Sequence, residues 1–435
     1  MRPRRVLLGL ICVLLLGTAG FVALAWQPAI PAAQPPNKAS IDPTLIANGA
    51  ELAMLGDCDV CHTPAGGKPY AGGRALQTPF GTIYSTNITP DPDTGIGTWS
   101  EAAFLRAMRE GVRRDGAHLF PAFPYDHFSR VSTADLRAIY AFLMTREAVR
   151  METPQNALQF PFTMRPLIAA WKLLFFTPGE LKPDPLLTPE LNRGAYLVEG
   201  LSHCGSCHTT RNVLGAERNS SYLGGGEAEG WHAPTLNGAS TVPVAWTEDQ
   251  IFAYLRYGFA PARGVAAGPM QPVVDNLGKV AEADVKAIAA YIATIVGPAT
   301  AARKGKVGLP RLAPQSDTIG NQDARTIADG AVIYAGACAF CHEATGQRFS
   351  ARGINLATST AVTVPDAHNL AHVILEGIGP PQASPAATMP GFANALTNSQ
   401  VAALMTFLRS AFTDQPAWRD LEGTIRHVRQ SSKGS

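Results

Sequence analysis

One pentapeptide pattern occurs three times in this chain: Cys58-Asp59-Val60-Cys61-His62, Cys204-Gly205-Ser206-Cys207-His208 and Cys338-Ala339-Phe340-Cys341-His342. C-x-x-C-H is the attachment signature of c-type haem. Two thiols three positions apart reach the two vinyl groups along one porphyrin edge, and the histidine that follows presents its imidazole to the iron as proximal ligand. A single copy could equally be half of a zinc site or a redox pair. Three copies with no further set of paired ligands imply three covalently bound haems c, held by Cys58 and Cys61, Cys204 and Cys207, and Cys338 and Cys341, with His62, His208 and His342 on the irons.

Of the seven cysteines, only Cys12 lies outside these motifs, so none is left for a structural disulfide. Cys12 lies in an apolar run, Val6 to Trp26, preceded by Arg2, Arg4 and Arg5. A positive start followed by an apolar segment directs export across a bacterial inner membrane, on whose far side haem c is attached. The run is about 20 residues, enough to span a ~30 Å hydrocarbon core. It reads as a retained anchor with its arginines on the cytoplasmic side; cleavage at the small-x-small sequence Ala23-Leu24-Ala25 is the alternative. The expected location is therefore the periplasmic side of the inner membrane.

At 435 residues and 46% hydrophobic content, the chain can build several cores, and its 34 prolines and 41 glycines imply long loops. A net charge of +2 gives no footing for nucleic acid. The Gly224-Gly225-Gly226 run has no dinucleotide-binding context.

Each haem motif sits in a segment of the same layout. A short helical pattern beginning at a Gly-Ala pair precedes it: Gly49-Ala50, Gly194-Ala195 and Gly330-Ala331, at 9, 10 and 8 residues before the first cysteine. A glycine-rich loop follows, then a helix ending at Gly111, Gly258 or Gly377. Last comes a helix with apolar residues at i, i+3, i+4 and i+7, beginning near Asp135, Asp284 and Gln400. The expected fold is all-α: three tandem cytochrome c-like haem domains behind an N-terminal hydrophobic helix. The expected boundaries are 1–30 for the signal or anchor, 40–150 for the first haem domain, 151–185 for a linker, 186–298 for the second domain, 299–322 for a linker, 323–415 for the third domain and 416–435 for a tail.

The repeat also points to the distal ligands. Met270 follows Gly258 by 12 residues and Met389 follows Gly377 by the same 12. A thioether opposite the proximal histidine suits electron transfer because it raises the reduction potential. In the first repeat the same offset from Gly111 falls on Phe123, which cannot ligate iron. Met108 aligns with Leu255 and Ile374 and reads as helix core. His127, four residues past the slot, is the first choice for the vacant position; His118, five before it, and an open or water-bound iron are the alternatives.

The stretch Gly72-Gly73-Arg74, Thr78-Pro79-Phe80-Gly81-Thr82-Ile83-Tyr84-Ser85-Thr86-Asn87-Ile88-Thr89-Pro90-Asp91 and Gly95-Ile96-Gly97-Thr98-Trp99-Ser100 resembles the first haem domain of the three-haem cytochrome c subunits of membrane-bound bacterial dehydrogenases. The resemblance extends from Thr44 to Phe412 and includes the segment from Phe160 to Phe176. Those subunits accompany alcohol, gluconate, sorbitol or fructose dehydrogenases, and there a Met usually stands where this chain has Phe123. The variant Pro121-Ala122-Phe123-Pro124-Tyr125-Asp126-His127-Phe128 is more similar to cytochromes that partner molybdenum hydroxylases of N-heteroaromatic compounds or aldehydes. In similar cytochromes the loop at Asn87, Thr235 and Asn355 packs under the haem and holds the proximal imidazole through its backbone.

What this resemblance implies is a non-catalytic electron-transfer subunit. A partner dehydrogenase carrying flavin, pyrroloquinoline quinone or molybdopterin would supply electrons, and membrane quinone or a terminal oxidase would accept them. Two other readings stay open: a haem enzyme acting on peroxide or a gas at an open first iron, and a stand-alone periplasmic carrier. His203, His232, His368, His372 and His427 are expected at the surface, and Trp171 to Phe176 is expected to pack between domains, against a partner or on a membrane.

Overall fold

The computed structural model describes residues 3–240, 242, 245–260, 263–297, 321–342, 356–379 and 389–431. Contacts divide it into two compact units, Met1–Asp184 with Glu199–His203, and Pro185–Val198 with Cys204–Ser435.

The first unit begins with α1 (Pro3–Ala25). Then come α2 (Pro43–Leu55), α3 (Cys58–His62), strands β1 (Ala75–Thr78) and β2 (Gly81–Tyr84), α4 (Glu101–Glu110), α5 (Tyr125–Phe128), α6 (Thr133–Thr145), β3 (Ala157–Leu158) and α7 (Leu167–Phe175). Local signals set these boundaries. Asp42 caps α2 by accepting from the Thr44 amide, with Pro43 at the first helical position. Ser100 and Ser132 cap α4 and α6 in the same way. Gly111 ends α4 at φ 62, a left-handed conformation that glycine adopts without penalty.

The second unit holds the other two repeats. Its elements are α8 (Pro189–Tyr196), α9 (Gly205–His208), β4 (Gly226–Ala228), β5 (Trp231–Ala233), α10 (Glu248–Tyr257), β6 (Phe259–Ala260), β7 (Gly264–Val265), α11 (Met270–Leu277) and α12 (Glu282–Val296). The third repeat contributes α13 (Asn321–Ala337), α14 (Ala339–His342), α15 (Thr360–Thr363), α16 (His368–Glu376), α17 (Asn398–Phe412) and α18 (Leu421–Ser431).

The same helix crossing recurs in all three repeats and explains the Gly-Ala pairs. A Cβ on Gly49 of α2 would collide with the Ala138 carbonyl of α6. One on Gly194 of α8 would strike the Ala287 carbonyl of α12, and one on Gly330 of α13 the Ala403 carbonyl of α17. An aromatic residue one turn on, Phe142, Tyr291 or Phe407, closes each crossing with its own Cβ against the glycine. The absent side chain thus lets two backbones touch, and the apolar faces around the contact are buried: Leu52, Leu136 and Ile139 in the first repeat, Val285 and Ile288 in the second, Val401 and Leu404 in the third.

Three expectations need correction. The fold is mainly helical but not strictly all-α, because short antiparallel strands occur: β1 and β2 in the loop after the first haem motif, joined by β3 from beyond α6; β4 and β5 in the loop after the second; and β6 and β7 after α10. The reversals run through Gly81, Gly230 and Gly264, all at positive φ. The segment expected as a tail contains α18, whose Ile425 and Val428 are fully buried in the core of the third repeat. An apolar pair at i and i+3 is enough to dock one helix face. The run expected as a membrane-spanning anchor falls in α1, but among the described residues no helix is long and apolar enough to cross a membrane.

Candidate haem sites

The two cysteines of each motif lie three positions apart, both on the short helix α3 in the first repeat and with the first at the entry to α9 and α14 in the others, so the first cysteine shares a face with the second at i+3 and with the histidine at i+4. No disulfide joins any of the seven cysteines. Burial, then Asp59 and Asp57, push the Cys58 thiol far above its ordinary value. Burial, with Cys341 second, pushes Cys338 up to about 11. A thioredoxin-like redox pair needs the opposite, a thiolate favoured by its surroundings. Among the described residues no group of cysteine and histidine ligands is arranged to hold a metal ion by itself.

In the first two repeats the motif histidine is held by a backbone carbonyl. His62 Nδ1 donates to the Thr86 carbonyl at 2.6 Å and His208 Nδ1 donates to the Pro234 carbonyl at 2.7 Å. A proton fixed on Nδ1 leaves the Nε2 lone pair as the ligating atom. Desolvation lowers both imidazole pKa values, with the carbonyl bonds opposing it, so the neutral, ligating form is favoured. The histidine backbone is pinned too: Gly72 N–H donates to the His62 carbonyl at 2.8 Å, and Gly225 N–H to that of His208 at 2.9 Å.

The loop around Asn87 has a definite structure behind it. Asn87 Oδ1 accepts from the Thr89 amide and hydroxyl, and its Nδ2 donates to Thr94 Oγ1 and the Val149 carbonyl. That turn fixes the neighbouring Thr86 carbonyl in front of His62. Thr235 does the equivalent work through Gly224, donating its hydroxyl to that carbonyl at 3.0 Å. In the third repeat Asn355 lies outside the described residues.

On the distal side the first two repeats share a backbone but not a side chain. Leu119 N–H donates to the Gly111 carbonyl and Phe123 N–H to that of Phe120. In the second repeat Ala266 N–H donates to Gly258 and Met270 N–H to Ala267, residue for residue the same pattern. Phe123 therefore stands where Met270 stands. Its ring packs on Phe128, with centroids 5.3 Å apart. Met389 sits differently, paired directly with Ile378 through both backbone bonds, at 2.8 and 3.0 Å. The matching pairs elsewhere are Val112 with His118 and Phe259 with Val265, so Met389 is level with those residues by pairing although its offset from the glycine equals that of Met270. Met108 is buried in the core of α4, as are Leu255 and Ile374 in their helices.

The two candidate histidines of the first repeat are both buried. His127, on α5, has Nδ1 2.8 Å from the Glu199 carbonyl. His118 has both nitrogens engaged: Nε2 lies 3.0 Å from the Ala25 carbonyl, and Nδ1 accepts from Lys172 Nζ at 3.0 Å. Desolvation first, then the Lys172 charge, lower its pKa. Lys172 is itself a buried cation that sequence reasoning passed over inside an apolar run. It donates to the Glu110 and Gly111 carbonyls at the C-terminal end of α4 and stands 4.9 Å from the centre of the Tyr125 ring. Desolvation pushes it down to about 8, with Glu110 opposing.

The segment from Trp171 to Phe176 is thus divided: Trp171 packs edge-on against Tyr125, whereas Leu173 and Leu174 are exposed. Of the histidines expected at the surface, His203, His232 and His368 are partly covered and His427 is exposed, but His372 is buried, stacked on Trp231. The sequence contained no local sign of that stack, whose partners are far apart in the chain.

A family model described as cytochrome c matches residues 46–147, 192–295 and 327–412. The chain is 45% identical over 410 residues to one of the subunits of nicotinate dehydrogenase from Pseudomonas putida, a match covering 94% of this chain and 34% of that protein. The chain thus spans about a third of that relative's length. It is 36% identical over 422 residues to the gluconate 2-dehydrogenase cytochrome c subunit of Pantoea cypripedii, covering 92% of this chain and 90% of the relative. It is 35% identical over 395 residues to the cytochrome c subunit of alcohol dehydrogenase (quinone) from Gluconobacter oxydans, covering 85% and 79%.

Proposed function

This chain belongs to the cytochrome c family, and from that premise we propose that it is the electron-transfer subunit of a dehydrogenase, carrying electrons over three covalent haems c to membrane quinone or a terminal oxidase. The observation that carries the reading is the motif itself: a Cys-x-x-Cys-His helix whose histidine, in the first two repeats, is locked with Nε2 as its ligating atom. Haem iron supplies reversible one-electron chemistry when bound. The chain's own residues attach it, present a neutral imidazole and set the opposite ligand. We assign that opposite position to Met270 and Met389 in the second and third repeats and to His127 in the first.

The names of the relatives support a catalytic partner, and the 45% relative favours one that oxidises an N-heteroaromatic acid such as nicotinate, in line with a molybdopterin enzyme rather than a flavin or pyrroloquinoline quinone one. Attachment to the periplasmic face of the membrane through α1 is supported by its exposed apolar side chains, among them Leu14, Leu15 and Leu16. Exposed Phe160, Leu173 and Leu174 add apolar surface to the same unit.

The test is haem stoichiometry together with reduction by a partner. Pyridine haemochrome analysis should give three haems per chain, and membranes carrying the native complex should reduce them when the partner's substrate is added. Two haems, or a chain that purifies from native membranes with no dehydrogenase, would overturn the proposal. The vacant slot at Phe123 sustains one second reading, an open first iron with peroxide or gas chemistry; stoichiometric carbon monoxide binding by the reduced wild-type protein would favour it.

A further inference from the structure

Strand β5 and the residue after it meet both the motif histidine and the methionine turn of the second repeat. Just past the end of β5, Pro234 offers the carbonyl that accepts from His208 Nδ1. At its start, the Trp231 indole lies against the backbone of Gly268, where any Cβ would strike the ring. Gly268 stands two residues before Met270, at φ 56, and its carbonyl accepts from the Gln271 amide at 3.0 Å, so it forms the turn that delivers the methionine.

That indole is itself held by the third repeat. His372 of α16 stacks on it with ring centroids 4.5 Å apart and planes 17° from parallel. His372 is 5% exposed, and its Nδ1 is 2.8 Å from Glu376 Oε1. One turn earlier on α16, Asn369 reads the next residue of the strand through both backbone groups: His232 N–H donates to Oδ1 at 2.7 Å, and Nδ2 donates to the His232 carbonyl at 2.8 Å. Two aromatic planes and a two-pronged amide therefore fix β5 on α16, and β5 backs the methionine turn.

We infer that Trp231 is a positioning residue for the second iron: clamped by His372 and Asn369 of the third repeat, its indole holds the Gly268–Met270 turn so that the thioether stays within reach of the haem. The inference rests on Met270 being the distal ligand. A thioether is a weak, exchangeable ligand that raises the potential of its haem, so its hold depends on the loop that carries it. The third repeat would thereby set the potential of its neighbour without contributing a ligand.

The test uses the full-length, haem-loaded protein and reads the far-red methionine-to-iron charge-transfer band, carbon monoxide binding and a spectroelectrochemical titration. Met270→Leu comes first. If the band and titration ignore it, the ligand assignment fails, and the inference with it. If Met270→Leu removes about half of the band, as expected for one of two methionine-bound haems, Trp231→Ala should reproduce that loss, open one haem to carbon monoxide and lower the potential of the same haem. Trp231→Phe should keep the band, and His372→Ala should weaken it while His372→Phe, which preserves a stacked ring, restores it. Gly268→Ala, which drives a Cβ into the indole, should give the same one-haem signature with the tryptophan present, and it serves as the test if Trp231→Ala does not fold. A full band in both Trp231→Ala and His372→Ala, or an equal loss at both methionine-bound haems, would overturn the inference.

Discussion

The first and second repeats follow the same backbone path from the helix-ending glycine to the distal slot and differ in what they hang on it. Each crosses its outer helices at a glycine, Gly49 or Gly194, and each fixes a proximal Nδ1 on a backbone carbonyl, Thr86 or Pro234. Each forms the same pair of bonds before the distal slot, yet one slot holds Phe123 and the other Met270. The first repeat then adds a feature with no counterpart at Val265 in the second: His118 and Lys172 buried together under the end of α4. The lesson is that the scaffold resides in backbone contacts that many side chains tolerate. The side chain at the slot changes from Phe123 to Met270 without disturbing it.

The strongest test of the shared scaffold is to destroy the crossing in either repeat. Gly49→Val and Gly194→Val should each cost about 3 kcal/mol, because a branched side chain is forced onto a backbone carbonyl that cannot retreat. Denaturant titrations of both variants should show comparable losses; a neutral result for either would separate the two repeats at the level of the fold.

Ligand substitutions come next and should separate the repeats cleanly. On reduction, Met270→Leu should admit carbon monoxide at one haem, whereas Phe123→Leu should leave the spectrum unchanged. His127→Ala should open the first iron, and Phe123→Met in that background should refill it from the slot used in the second repeat. An inert His127→Ala beside a spectrally altered His118→Ala would transfer the assignment to His118.

A smaller effect belongs to Lys172 alone. Its folded-state value is lowered, by desolvation first, from 10.5 to about 8. Between those values the unfolded chain holds more protons than the folded one, so the stability of the first unit should rise as pH increases through that window. Lys172→Met should flatten the rise, measured as urea midpoints below and above the window. A wild-type midpoint that falls with pH there would contradict the buried cation.

The smallest effect is on the acid side. The lowered pKa of His118 means that the unfolded chain takes up a proton below about 6.5 while the folded state resists it. The stability of the first unit should therefore decline as pH drops through the region just below that value. His118→Gln should lessen the decline, and hydrogen exchange in the second repeat should show no matching change.

Much of this comparison was legible in the chain because its signals are local. The haem motifs, the glycines ending α4 and α10, and Met108 as core all follow from spacing along one helix or one turn. The short hairpins were missed because their strands are two to four residues long, too short for a period to show. The helix α18 was missed because only Ile425 and Val428 mark its buried face. Met270 and Met389 looked equivalent by offset, yet Met389 alone pairs directly with the residue after the helix-ending glycine.

What the sequence determined by itself is the haem attachment and the helical repeat, since both depend on residues within a few positions of each other. Thioether reach, helix periodicity and a glycine cap need nothing from the rest of the chain. The tertiary structure decided which carbonyl receives each proximal imidazole, 24 residues away for His62 and 26 for His208. It also buried Lys172 beside His118, 54 residues distant, and brought Asn369 onto the backbone of His232, 137 residues away. Those pairings depend on how loops close in space, and a hydrogen bond or a ring stack leaves no periodic trace in the sequence between its partners.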